Sequence, residues 1–98
     1  MKKIFLFIAF LWISLVSFAQ DGVNFERLSF REALDKAKSE QKYVFMDCYT
    51  SWCGPCKNMT QNVFPQKKAG DYFNPKFICV KYDMEKGEGP ELGKRFEV

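Results

Sequence analysis

A chain of 98 residues holds one domain at most. It contains no histidine, which excludes Cys/His nucleophile pairs, histidine metal ligands and imidazole acid–base chemistry, so proton handling falls to carboxylate, lysine or thiol. Setting Lys2 and Lys3 aside, 13 of the 15 basic residues stand against 12 acidic ones, a net charge of +1 with the signs interspersed, and no case for a nucleic-acid or membrane-surface partner follows.

Met1-Lys2-Lys3 reads as a basic n-region, Ile4 to Val16 as an apolar run, and Ser17-Phe18-Ala19 as the small-residue site of a signal peptidase. The run is shorter than the roughly 20 residues of a bilayer span. The expectation is therefore a signal peptide over residues 1–19, with no stable membrane insertion after cleavage and an uncleaved anchor as the alternative. No cysteine lies near that site, which argues against a lipoprotein. The domain is expected over residues 20–98.

Val23 to Leu28 alternates apolar and polar residues and predicts a short edge strand. Ser29 and Glu32 form a capping box, and Phe30, Ala33, Leu34 and Ala37 then recur at helical spacing, so one stripe faces a core while Arg31, Asp35, Lys36 and Lys38 face water. Tyr43 to Tyr49 is apolar on both faces except at Asp47, the pattern of a central strand. Two readings of Asp47 stand: a strand-end aspartate bonded to nearby backbone, or a buried carboxylate with a raised pKa, held behind Cys56 to take its proton.

Trp52-Cys53-Gly54-Pro55-Cys56 follows, where the strand pattern stops and a helical one begins. The thiolate is the reactive form of cysteine, and a helix start stabilises it with unpaired N–H groups and the positive end of the dipole. Cys53 is expected at that end; Gly54 lets the backbone turn, and Pro55 suits the first helical turn because it has no N–H to satisfy. The i, i+3 spacing puts Cys56 within reach of Cys53, so a redox disulfide can close and open without refolding. Trp52 covers the site and offers a flat apolar surface to a substrate peptide, and Lys57 is a solvent-facing residue that adds positive potential near the dithiol.

Met59, Val63 and Phe64 share a helical face with Cys56 in a helix ending before Pro65, which leaves Cys56 inward and Cys53 at the exposed tip. Lys67 to Phe73 predicts a short helix, Phe77 to Asp83 a second strand parallel to the first through a right-handed crossover, and Pro90 to Phe96 a last helix. The class is α/β. Cys48 and Cys79 lie within the strands, where free cysteine behaves as a small hydrophobe; a second disulfide between them and a four-thiol zinc site are the alternatives. Lys81, the one basic residue in its strand, reads from the residues alone as a solvated edge residue.

The stretch MDCYTSWCGPCK resembles the active-site segment of thioredoxins. The longer run from Ser29 to Phe64 is similar to exported thioredoxin-like domains related to the C-terminal domain of the periplasmic membrane disulfide reductase, and the likeness covers Phe25 to Val98. It implies a thioredoxin-like fold in which Asp47 matches the buried aspartate, Lys81 a lysine beside it, and Lys57 the residue that often follows the second cysteine. It further implies thiol–disulfide exchange without a cofactor or a metal, on protein disulfides, in the periplasm or another extracytoplasmic space. The Gly-Pro pair favours reduction, which requires an electron donor across the membrane. Oxidase or isomerase activity, a non-catalytic truncated module and a metal-thiolate module are the alternatives. Such folds continue with a cis-proline loop, a hairpin and a final helix. Pro55, Pro65, Pro75 and Pro90 do not supply that loop, so residues 20–98 are expected to be the N-terminal part of the fold, with an open strand edge and a tendency to aggregate.

Overall fold

The computed structural model describes residues 22–98, and the signal peptide expected over residues 1–19 lies outside them. Helix α1 (Phe30–Glu40) starts on the expected capping box: Ser29 Oγ accepts from the Glu32 N–H at 3.1 Å, and Glu32 Oε1 accepts from the Ser29 N–H at 2.9 Å. The Ser29 backbone N–H, and after it the Ser29 side chain, hold the Glu32 carboxyl below its ordinary range. The helix stops at Gln41, which takes a left-handed conformation (φ 56°) and donates its N–H to Ala37 and Lys38.

Strands β1 (Tyr43–Tyr49) and β2 (Phe77–Asp83) pair in parallel with Tyr43 opposite Phe77 and Tyr49 opposite Asp83. Period-two alternation sorts their side chains into two layers. On one face, Ile78 and Val80 are buried against Ala33 and Ala37 of α1, with Val44, Met46, Leu28 and Tyr82 around them. Burying each of the two larger side chains contributes about 1.5–3 kcal/mol. The small alanines bring α1 close to the sheet, and Leu34, expected in the core stripe, is displaced to the flank and left 43 % exposed. On the other face Phe45 meets Phe73 at 4.7 Å, Phe64 at 6.1 Å, Phe77 at 6.3 Å and Phe25 at 6.4 Å between ring centroids. This aromatic layer joins the sheet to the helical segments after Cys53.

The segment before α1 departs from the expected strand. Only Phe25 bridges to Cys79, with the Glu26 N–H donating to the Cys79 carbonyl at 2.8 Å. The ladder does not extend because upstream N–H groups have other acceptors: Val23 donates to the Phe64 carbonyl and Asn24 to Asn74 Oδ1, both at 2.8 Å. Lys36 of α1 pairs with Glu26 and fastens the same segment from the other side. Thus β2 lies between the Phe25 segment and β1, and among the described residues β1 pairs only with β2.

Helix α2 (Gly54–Asn58) leads into a π-helical turn, and α3 (Lys67–Phe73) fills the crossover before β2. Helix α4 (Gly89–Arg95) begins one residue before expectation. Its Leu92 is buried, and Phe96 packs edge-on against Phe30 at 5.6 Å. The Glu88 carboxylate accepts the Phe30 N–H at 3.2 and 3.3 Å, placing a negative charge at the positive end of α1. A Cβ at residue 89 would stand 1.8 Å from the Asp83 carbonyl oxygen, so only glycine fits where the β2–α4 turn folds back.

Candidate functional site

Where β1 ends, Thr50 to Trp52 make a turn in which the Cys53 N–H donates to the Thr50 carbonyl at 3.3 Å. Cys53 then caps α2 from an extended conformation (φ −79°, ψ 108°), and its Sγ accepts the Cys56 N–H at 3.2 Å. Pro55 stands in the first turn, where its missing N–H leaves no orphan donor. Cys53 and Cys56 are joined as a disulfide with Cα atoms 5.3 Å apart. The expected contrast between an exposed Cys53 and an inward Cys56 is not seen in this oxidised state: both are half-buried, because the bond holds the two sulphurs side by side. Gly54 has no positive φ, and a Cβ there would meet nothing within 4 Å. Its conformational freedom is therefore unused, and the direction in which a side chain would point is open.

The helix then widens. Met59–Val63 form a π-helical turn closed by the Phe64 N–H donating to the Met59 carbonyl at 2.9 Å. Such turns recur beside functional sites. Phe64 is buried against Phe25 and Phe45, Val63 is half-buried, and Met59, expected to face inward, is 39 % exposed.

Asp47 stands opposite Lys81 in the strand register, on the sheet face that carries Phe45 and the α2 segment. Burial raises the Asp47 carboxyl above its ordinary range, and the Lys81 charge opposes the rise. Lys81 is exposed and reaches over the Phe25 ring at 5.3 Å. Cys56, Lys57 and Lys81 also border one cavity of about 200 Å³, whose wall includes Thr50, Thr60 and Gln61. The Thr50 hydroxyl is buried there without a hydrogen-bond partner. Lys57 and Lys81 thus border the same cavity as the second cysteine, while a carboxyl raised by burial lies on the same face of the sheet as Lys81.

Trp52 is 74 % exposed, and its indole N–H donates to Glu85 Oε1 at 2.8 Å. Lys57 is exposed, as expected. Cys48 and Cys79 are both free, and the register explains it: Cys48 stands opposite Tyr82 and Cys79 opposite Phe45, so the two point to opposite faces of the sheet. Burial, with the Glu26 charge adding to it, pushes the Cys79 thiol up to about 11; burial and the Asp47 charge raise Cys48. Among the described residues no group of three or more cysteine or carboxylate side chains is arranged to hold a metal ion, and no helix is long and apolar enough to cross a membrane.

Glu85 escaped the sequence reading because it lies 33 residues from Trp52. The available signal was chemical: an indole beside a reactive cysteine needs a partner for its N–H when it is held in place. The cavity hydroxyls of Thr50 and Thr60 and the π-helical turn carried no signal.

A family model named Thioredox_DsbH, with the description "Protein of unknown function, DUF255", matches residues 14–97. The chain is 35 % identical over 60 residues to Thioredoxin-1 of Drosophila yakuba, covering 61 % of this chain and 51 % of that one. It is 30 % identical over 67 residues to the thiol:disulfide interchange protein DsbD of Pseudomonas fluorescens, covering 67 % and 12 % respectively. A solution structure of a candidate disulphide-isomerase from Bacteroides thetaiotaomicron superposes with a TM-score of 0.69 at 51 % identity, covering 83 % of this chain and 67 % of that one. The chain thus spans about half the length of the thioredoxin it matches and a small part of DsbD.

Proposed function

Because this chain belongs to the thioredoxin-like family of the DsbH/DUF255 type, we propose that it is a thiol–disulfide oxidoreductase that reduces disulfides of exported proteins. The observation that carries this reading is the Cys53–Cys56 disulfide closed across the first turn of α2, with Cys53 Sγ accepting the Cys56 N–H. A sulphur held by a backbone donor at a helix start is stabilised as thiolate.

In the reduced protein, the Cys53 thiolate attacks one sulphur of a substrate disulfide, forms a mixed disulfide and expels the other substrate sulphur as a thiolate. Cys56 gives its proton to Asp47 and attacks Cys53, which restores the intramolecular disulfide and releases the second substrate sulphur. Two electrons pass from the dithiol to the substrate. Asp47 suits the proton transfer because burial raises its carboxyl above the ordinary carboxylate range, while Lys57 and Lys81, which border the same cavity as Cys56, stabilise its thiolate as it forms. No cofactor takes part.

Export is supported by the leader-like residues 1–19 and by similarity to DsbD. In an oxidising compartment the spent disulfide must be reduced again, so the partner is a membrane protein that delivers electrons from the cytoplasm. A second reading, disulfide isomerisation, is favoured by the 51 % identity to the candidate disulphide-isomerase and uses the same attack by Cys53. Insulin reduction by dithiothreitol, with and without the protein, tests the first reading, and reactivation of a scrambled disulfide protein tests the second. Catalysis abolished by Cys53→Ser is expected in the first assay; turnover unchanged by that substitution would refute both.

A further inference from the structure

The cavity of about 200 Å³ beside Cys56 has a cationic wall without a countercharge: Lys57 and Lys81 border it, and no aspartate or glutamate does. Among the described residues Arg31, Lys36, Lys42 and Lys67 each have a carboxylate within 4.0 Å, whereas Lys57 and Lys81 have none. Asp47 stands opposite Lys81 in the strand register but is not part of the wall. The wall also holds uncommitted polar groups. The Thr60 hydroxyl and the Gln61 amide, both from the π-helical turn, make no hydrogen bond to another described residue, and the Thr50 hydroxyl is buried without a partner. Two ammonium groups, two hydroxyls and an amide around one small cavity suit an acceptor whose oxygens point in several directions.

We propose that this cavity binds a small tetrahedral oxyanion, a sulfate or phosphate group, and that its occupancy slows release of the mixed disulfide. Charge supplies the link. In the oxidoreductase reading, on which the effect on release rests, Lys57 and Lys81 stabilise the Cys56 thiolate as it forms. An oxyanion beside them cancels that positive potential and sets negative charge near the sulphur, so a smaller share of Cys56 ionises and its attack on Cys53 slows. No covalent step is added, and binding itself does not depend on that reading. Both lysines are exposed, so the cavity admits either a free ion or the phosphate at the end of a larger molecule.

The test follows ¹H–¹⁵N spectra of the oxidised wild type against sodium sulfate and against phenyl phosphate, with sodium chloride at equal ionic strength as the reference. Saturable shifts at Lys57, Thr60 and Gln61 are expected, with a midpoint on the order of 1–10 mM for a few charged hydrogen bonds at an open site. A lower midpoint for sulfate supports a free ion as occupant, and a lower one for phenyl phosphate supports the end of a larger molecule. Lys81→Gln should weaken binding about tenfold, the effect of losing one charged hydrogen bond, while Lys81→Arg keeps the charge and should bind within about threefold. Lys76→Gln removes a cation that lies over Tyr72 and should bind as the wild type does, which separates a local site from overall charge. Rapid-quench release of the mixed disulfide should slow about threefold or more in saturating sulfate, and should not slow in Lys81→Gln. Shifts that fail to saturate, or a midpoint unchanged in Lys81→Gln, overturn the site. Saturable binding with an unchanged release rate in an active wild type overturns the effect on release. A wild type that binds sulfate but reduces no disulfide refutes the oxidoreductase reading and the effect on release with it, and supports the site.

Discussion

Asp47 and Lys81 face each other across the parallel pair β1–β2, with Asp47 half-buried and Lys81 exposed. Burial raises the carboxyl above its ordinary value of 3.8, and the lysine only partly offsets it. A raised acid binds more protons folded than unfolded, so stability falls as pH climbs from about the unfolded pKa through the raised folded one. Asp47→Asn should therefore be more stable than the wild type at neutral pH, with the difference fading below pH 3.8. Denaturant midpoints measured across that range check the sign, and a variant less stable at neutral pH would show the carboxylate to be a net structural asset.

The same substitution separates the two chemical steps. Asp47 is assigned to the proton of Cys56, so Asp47→Asn should slow release of the mixed disulfide by tenfold or more, on the order of general-base loss, and leave its formation nearly unchanged. Rapid-quench trapping resolves the two rates. Equal slowing of both steps would remove Asp47 from the mechanism.

Among the four thiols of the reduced protein, Cys53 should react first with iodoacetamide at neutral pH, since its sulphur has a backbone donor and sits at a helix start. Cys79, with its thiol pushed up to about 11, and Cys48, also raised, should stay unlabelled until unfolding. Peptide mapping after brief labelling reads the order, and early modification of Cys48 or Cys56 would contradict the assigned roles.

Two glycines make a paired stability test. Gly89→Ala drives a methyl into the Asp83 carbonyl oxygen and should cost about 1–3 kcal/mol as overpacking. Gly54→Ala meets open space and should stay within about 0.5 kcal/mol. Thermal unfolding of both variants checks the contrast; similar losses in the two would refute the close approach at residue 89.

The parts of this fold that were legible in the sequence are those set by local chemistry. The capping box at Ser29 and Glu32, the apolar runs of β1 and β2, and the breaks at Pro65 and Pro75 mark element ends that the structure reproduces. The dithiol was legible for the same reason, since its spacing and the helix start lie within five residues. What was not legible depends on distant partners. Val23 and Asn24 were lost from the predicted strand because Phe64 and Asn74 took their N–H groups, and Leu34 left the core because Ala33 and Ala37 allow a close approach. The Glu85 bond to Trp52 and the Glu88 bond to Phe30 join residues that no periodicity relates.

The roles of Cys53 and Cys56 are tested most directly by trapping the mixed disulfide. Incubated in its reduced form with native, disulfide-linked insulin, Cys56→Ser cannot resolve the intermediate and should accumulate a covalent adduct that mass spectrometry places on Cys53. Cys53→Ser should form none at the same pH and time. An adduct formed equally well by Cys53→Ser, or none formed by Cys56→Ser, would contradict the account.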